Sequence, residues 1–324
     1  MSERVLVTGG AGCIGSELCA ALLARGEEVV ALDNLSSGRA EHVRPLGTNP
    51  KFRFVEGDLL DPRTVEAVLA GVGFVYHLAA NPDVKFAPDE PDRDLRQNVI
   101  ATQTLLEAMR RAGVAELAFS STSAVYGISP VQPIPEAQPC RPISLYGATK
   151  LGCEALIAAY SNLFGIRARV FRFANVVGGK IRKTGKTVVS DFLAKLRATP
   201  DRLEILGDGR QAKSYLLVEE CVAAMLHVVD RDPARFTVYN LGGDDWLSVR
   251  RIAEMVVEEM GLTDVDFAFT GTEAGWPGDI PRFRLDVSAL NALGWRVAHT
   301  SEEAVRIAIR LLLAHEDRDE PCKP

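Results

Sequence analysis

The stretch Arg4-Val5-Leu6-Val7-Thr8-Gly9-Gly10-Ala11-Gly12-Cys13-Ile14-Gly15-Ser16 decides how the rest of the chain reads. It begins as a short β-rich run and ends where apolar residues at helical spacing start and continue to Arg25. Between them Gly9, Gly12 and Gly15 form G-x-x-G-x-x-G. Glycine allows a tight turn and close backbone approach to a pyrophosphate, and the N–H groups at a helix N-terminus supply donors and partial positive charge. The alternative is a tight strand-to-helix turn with no ligand. Asp33, 18 residues beyond Gly15, favours the ligand. It ends a second β-rich run, where a carboxylate can accept bonds from the adenosine ribose hydroxyls and repel a 2′-phosphate, so NAD is expected rather than NADP. Arg39, the feature that speaks for NADP, reads as a solvated loop charge.

Working outward, β-rich runs recur at Glu28 to Leu32, Phe52 to Val55, Phe74 to Leu78, Glu116 to Phe119 and Ala168 to Phe171. Helical periodicity lies between them at Ser16 to Arg25, Pro62 to Ala70, Leu95 to Arg111 and Leu145 to Phe164. This alternation predicts an α/β fold, a Rossmann-type doubly wound parallel sheet with a smaller C-terminal substrate-binding region. Residues 1–177 read as the dinucleotide-binding domain, with segments returning to it at about 215–242, and residues 178–324 as a mainly substrate-binding α/β region. A helix is expected at Val188 to Ala198, with short strands near Leu203 to Leu206 and Thr237 to Leu241.

The chain has 324 residues, 47% hydrophobic and 25% charged, with a formal net charge of -6. That balance argues against a nucleic-acid partner, because nothing neutralises a run of phosphates. The six cysteines show no C-x-x-C pair and no histidine cluster, so reduced thiols and no metal are expected. No apolar run is long enough to span a bilayer, and the N-terminus lacks a signal-peptide core, so a cytoplasmic protein with no membrane partner is expected.

The chemistry is concentrated in Tyr146-Gly147-Ala148-Thr149-Lys150. Tyrosine ionises near pH 10, roughly 3 units above neutrality, so a phenol needs help to act as a base. Lys150 lies one helical turn on, facing the same way, and a nearby cation favours phenolate. Ser120-Ser121-Thr122-Ser123 follows the apolar run ending at Phe119, where open α/β sheets bind ligands. Other positions stay open between two roles. Asp58 is an adenine contact or a helix cap, His77 is a packed strand-end residue or a cofactor contact, and Asn98 binds backbone near the site or caps a turn.

The glycine motif, the hydroxyl run before Val125-Tyr126-Gly127, and Tyr-x-x-x-Lys, in this order and spacing, resemble the extended short-chain dehydrogenase/reductase family, most of all its UDP-glucose (UDP-galactose) 4-epimerases. The resemblance spans nearly the whole chain. It implies Tyr146 as catalytic acid/base, Lys150 as its pKa-lowering and ribose-binding partner, and Thr122 as the hydroxyl on the reacting oxygen. The implied NAD contacts are Gly9, Gly12, Cys13, Ile14 and Gly15; Asp33, Asn34, Ser36, Ser37 and Gly38; Asp58 and Leu59; Leu78, Ala79 and Ala80; and Asn98, Ser120, Tyr146 and Lys150. The implied reaction is NAD-dependent C4 epimerisation of a UDP-hexose through a transient 4-ketose, in a homodimer. Sugar-nucleotide dehydratases carry an acidic residue or pair after the Ser/Thr position. Ser123 and Ala124 stand here instead, which ranks elimination below epimerisation. A free-cofactor reductase and a non-catalytic NAD sensor are the competing classes.

For the substrate, the resemblance implies Thr122, Ser123, Asn175, Arg182, Lys213, Trp276, Asp279 and Phe283. Two departures stand out, Lys213 and Trp276 where relatives commonly carry arginine. A lysine lacks the bidentate fork and a tryptophan cannot pair a phosphate, so Arg182, Arg210 or Arg282 is expected to compensate. The Lys180 to Lys183 run is either a phosphate lid or a solvated loop. Phe283 is implied beside the sugar 2-substituent, which favours glucose and galactose over N-acetylated hexoses. UDP-glucuronate is a further alternative.

Overall fold

A computed structural model describes residues 4–81, 90–179, 187–272, 275 and 278–316. The expected alternation is realised as β1 (Arg4–Thr8), β2 (Glu28–Asp33), β3 (Phe52–Glu56), β4 (Val72–His77), β5 (Glu116–Thr122) and β6 (Arg167–Phe173). The chain then forms β7 (Asn175–Val177), β8 (Arg202–Ile205), β9 (Ala212–Lys213) and β10 (Tyr215–Leu217) outside that sheet. It returns for β11 (Phe236–Leu241) and continues through β12 (Leu247–Ser248), β13 (Asp266–Phe269) and β14 (Arg282–Phe283).

The large sheet has seven strands in the order β11-β6-β5-β4-β1-β2-β3, all parallel. A parallel sheet is stable when both faces are covered, and its strands then read as near-continuous apolar runs. Alternate residues of each strand serve opposite faces. Val5, Val7, Val29 and Ala31 pack against helices Cys13–Ala24 and Val218–Arg231. Leu6, Val30, Val75 and Phe119 pack against Pro62–Val68, Ala101–Ala112 and Leu145–Phe164. The strand order reverses between β1 and β4, which opens a crevice at their carboxyl ends.

The sequence segment Tyr215 to Asp230 divides in the structure. Tyr215–Leu217 pairs with β7, while Val218–Arg231 is a helix, because Val218, Cys221, Val222 and Met225 form a buried stripe at three-to-four spacing. A separate core joins helices Val188–Ala198, Val249–Glu259 and Ser301–Glu316 to β8 and β10. The helix expected from Leu95 starts earlier, at Pro91, and passes through a π-helical turn at Leu95–Ile100 before Ala101–Ala112. Helix Leu145–Phe164 has the expected bounds. Ser144 accepts from the Gly147 N–H at its start, and Gly165, at φ 74°, ends it. Among the described residues no helix is long and apolar enough to cross a membrane, no group of three metal-ligating side chains occurs, and the five cysteines are unbridged.

Candidate active site

The sequence-selected residues of the large sheet converge on one edge, past the carboxyl ends of β1 to β6. Gly9 has φ 69°, and a β-carbon there would lie 2.7 Å from the Ala79 nitrogen and 2.9 Å from the Leu78 carbonyl carbon. The turn after β1 can therefore sit against Leu78 and Ala79 after β4 only if residue 9 is glycine. A β-carbon on Gly15 would lie 2.1 Å from the Gly9 oxygen. Helix Cys13–Ala24 begins at Gly12 with no side-chain cap, and Ile14 packs against the core behind it. The Cys13 thiol lies 3.8 Å from the Gly178 oxygen.

Asp33, buried at the end of β2, holds this turn. Its Oδ2 accepts from the Ala11 N–H at 2.9 Å and its Oδ1 from the Leu35 N–H at 2.8 Å. Each carboxylate oxygen can accept further bonds, as ribose recognition requires. Burial raises the Asp33 carboxyl, opposed by these two N–H bonds. Gly38 approaches the carboxylate so closely that a β-carbon would lie 2.8 Å from it. Asn34 Oδ1 accepts from the Ser36 N–H and hydroxyl, its amide donates to Asp58 at 2.9 Å, and Ser37 is exposed on the same loop. Asp58 also accepts from Leu60 N–H at 2.8 Å, while Leu59 buries its side chain in the core. The Arg39 guanidinium is exposed and pairs with Glu41. A glycine cradle that any β-carbon would fill, an uncapped helix N-terminus and a carboxylate at the next strand end together fit a dinucleotide.

The reacting groups lie at the next strand. The Thr122 hydroxyl lies beside the Tyr146 phenol and favours its ionised form. Burial pushes that phenol up to about 12, the Asp94 carboxylate adds to the rise, and the Thr122 hydroxyl opposes it. Lys150 is buried and donates to the Ser120 carbonyl at 2.7 Å, with its ammonium 4.6 Å from the Phe119 ring centre. No bond joins it to the phenol among the described residues. Burial pushes Lys150 down to about 8, with Cys153 and Glu154 opposing. Asn98 does bind backbone near the site. Its Oδ1 accepts from the Asn81 N–H at 3.0 Å and its amide donates to Thr149 at 2.9 Å, which ties the π-helical turn to the Tyr146 helix. Ala80 lies on the connection from β4 to Asn81, and Ser123 is buried beside Thr122.

His77 is the packed strand-end residue. Its ring bonds Thr8 at 2.7 Å and Thr102 at 2.9 Å, and burial with the Lys150 charge pushes it down to about 3. Above about pH 6.5 the ring is neutral folded and unfolded. Between 6.5 and 3 only the unfolded chain takes up the proton, so stability falls as pH falls, by about 3 kcal/mol at pH 4. Denaturant unfolding across that range should show the loss, and His77→Gln should flatten it.

The substrate-side residues are less concentrated. Asn175 lies beside the Tyr215 phenol and is its partner in the β7–β10 pair. Lys213 donates to Asp279 at 2.6 Å, Asp279 also accepts from the Gly275 N–H, and Phe283 is the β14 partner of Lys213. Phe283 is buried among Val125, Tyr126, Ala174 and Ile280. Arg210 and Arg282 are exposed, and Arg182 and Trp276 lie outside the described residues, as does the Lys180 to Lys183 run. The sequence reading passed over His42, Glu154 and Arg172. His42 bonds the Ala11 carbonyl oxygen at 2.7 Å, and Glu154 and Arg172 form a buried ion pair. The signal for the pair is a carboxylate within an apolar helix and a guanidinium within an apolar strand, each costly unless answered.

The model of the NAD dependent epimerase/dehydratase family matches residues 5–242. A UDP-glucose 4-epimerase of Corynebacterium glutamicum is 34% identical over 311 residues, 92% of either chain. The solved structure of a UDP-galactose 4-epimerase is 40% identical, covers 96% of this chain and 99% of its own, and has a TM-score of 0.84. A UDP-glucuronic acid 4-epimerase from Bacillus cereus, solved with NAD, is 26% identical over 96% of this chain and 99% of its own, with a TM-score of 0.87. The chain belongs to the NAD-dependent epimerase/dehydratase family of extended short-chain dehydrogenase/reductases, as an epimerase-like isomerase whose cofactor is NAD.

Proposed function

We propose that this enzyme interconverts UDP-glucose and UDP-galactose at C4 through a transient 4-ketose. The observation that carries the reading is the hydroxyl contact of Thr122 with Tyr146 beside buried Lys150, with Ser123 and Ala124, rather than a carboxylate, after Thr122. Bound NAD supplies hydride acceptance from, and return to, the sugar C4. Gly9, Gly12 and Gly15 would hold its pyrophosphate, Asp33 the adenosine ribose and Lys150 the nicotinamide ribose.

Tyr146 takes the C4 hydroxyl proton and later returns it, while Thr122 holds the reacting oxygen in line. With a phenol pushed up to about 12, Tyr146 keeps its proton at neutral pH unless positive charge is brought near. Lys150 and the N-terminus of the Tyr146 helix both act in that direction. Elimination would need a carboxylic acid next to Thr122, which this chain lacks. Phe283 supports a sugar without a bulky 2-substituent, and the Lys213–Asp279 pair would face the nucleotide diphosphate. The likeness to the Bacillus cereus enzyme supports UDP-glucuronate as a second substrate reading. A homodimer accords with the exposed Leu95, Ile100, Leu145, Leu163 and Phe164 on two helical segments.

The test is incubation of the purified protein with UDP-galactose and no added cofactor, following UDP-glucose by proton NMR and identifying any dinucleotide released on denaturation. Conversion with one NAD per chain is expected. NAD without conversion would redirect the assignment to UDP-glucuronate or N-acetylated sugars, and a chain without NAD would redirect it to a reductase or sensor.

A further inference from the structure

We propose that Glu154 is a positioning residue for epimerisation, which sets the Thr122 hydroxyl against the Tyr146 phenol by anchoring Ser121. The proposal rests on the assignment of Tyr146 and Thr122 to the reaction. Tyr146, Lys150 and Glu154 recur every four residues along helix Leu145–Phe164, so they share one face. That face meets three consecutive residues at the end of β5. Tyr146 lies beside Thr122, Lys150 donates to the Ser120 carbonyl at 2.7 Å, and Glu154 Oε1 accepts from the Ser121 hydroxyl at 2.5 Å. Ser121 and Phe119 point toward this helix, as strand alternation requires.

Glu154 is 5% exposed, where an unpaired carboxylate would be costly. Arg172, the β6 partner of Ser121, answers it with two bonds, Nε to Oε1 at 3.0 Å and Nη2 to Oε2 at 2.6 Å. Arg172 Nη1 also donates to the Tyr126 hydroxyl at 2.9 Å and to the Glu136 carbonyl at 3.0 Å, and Tyr126 donates to Asn240 at 2.7 Å. The short segment bearing Thr122 and Ser123 is thus held on both sides, at Ser121 by Glu154 and at Tyr126 by Arg172. Apolar side chains would attach helix to sheet without the desolvation cost of a buried ion pair. What the polar network adds is direction, and proton transfer is sensitive to direction.

Ser121→Ala removes one hydroxyl and leaves the Glu154–Arg172 pair whole. It should lower kcat by roughly 10- to 100-fold, with KM, NAD content and melting temperature near wild type. Glu154→Gln leaves Arg172 uncompensated and will be less stable. Where it folds, its effect on kcat should be non-additive with that of Ser121→Ala. If Glu154→Gln does not fold, Ser121→Ala decides alone. A Ser121→Ala enzyme with wild-type kcat, or one whose loss of activity merely follows a loss of melting temperature and NAD, overturns the proposal. Tyr146→Phe, assayed alongside, separates the failures. If it is inactive while Ser121→Ala is normal, only the role of Glu154 falls, whereas activity in Tyr146→Phe removes the mechanism on which that role depends.

Discussion

Tyr146→Phe is expected to reduce turnover of UDP-galactose by roughly 10³- to 10⁴-fold, the range for losing a positioned acid/base. The substitution removes one oxygen and keeps the ring, so it opens no cavity in the first turn of helix Leu145–Phe164. Its local cost is the loss of the phenol oxygen beside the Thr122 hydroxyl. Lys150, held by the Ser120 carbonyl and the Phe119 ring, does not depend on the phenol for its position. NAD content should therefore stay near one per chain, and melting should shift by a few degrees. Measuring turnover, released dinucleotide and melting on one preparation checks all three. Activity near wild type would mean that another group carries the proton.

Gly15→Ala should disable the cofactor site while leaving the catalytic helix untouched. The change would gain about 1 kcal/mol of helix propensity if the site were open. It is not open, because the new β-carbon would lie 2.1 Å from the Gly9 oxygen and 2.9 Å from the Gly10 α-carbon. Those are backbone atoms and cannot swing aside as a side chain can. The turn must widen, at an overpacking cost of about 1–3 kcal/mol, and its N–H groups then miss the pyrophosphate. NAD content should fall at least about tenfold, since each 1.4 kcal/mol is a factor of ten in binding. Gly12→Ala is the internal comparison. Its β-carbon would meet only the Gly9 oxygen, at 3.1 Å, so a smaller loss is expected. Equal losses in the two variants would show that steric approach within the turn is not the cause.

Much of the candidate site could be named from sequence because its residues lie close together in the chain. The glycine turn shows within seven residues, and Tyr146 and Lys150 share one helical turn. Helix Leu145–Phe164 could be bounded from sequence because Ser144 and Gly165 are strong end signals. Helix Val218–Arg231 was harder. The return expected at about 215–242 divides into this helix, which covers one face of the large sheet, and strand β11 within it. The π-helical turn at Leu95–Ile100 has no sequence period of its own and follows from what Asn98 holds, the Asn81 N–H and the Thr149 hydroxyl.

The sequence carries the parallel α/β sheet as a strand-and-helix period and points to NAD through the glycine turn and Asp33, while the roles of Tyr146, Lys150 and Thr122 are what the family resemblance implies. Only the tertiary structure decided that Lys150 holds Ser120 rather than the phenol, that Lys213 meets Asp279 across 66 residues, and that helix packing on the sheet brings Glu154 to both Arg172 of β6 and its β5 partner Ser121. A buried charge must have a partner, but which partner it has depends on which strands become neighbours, and that is settled only when the whole sheet assembles.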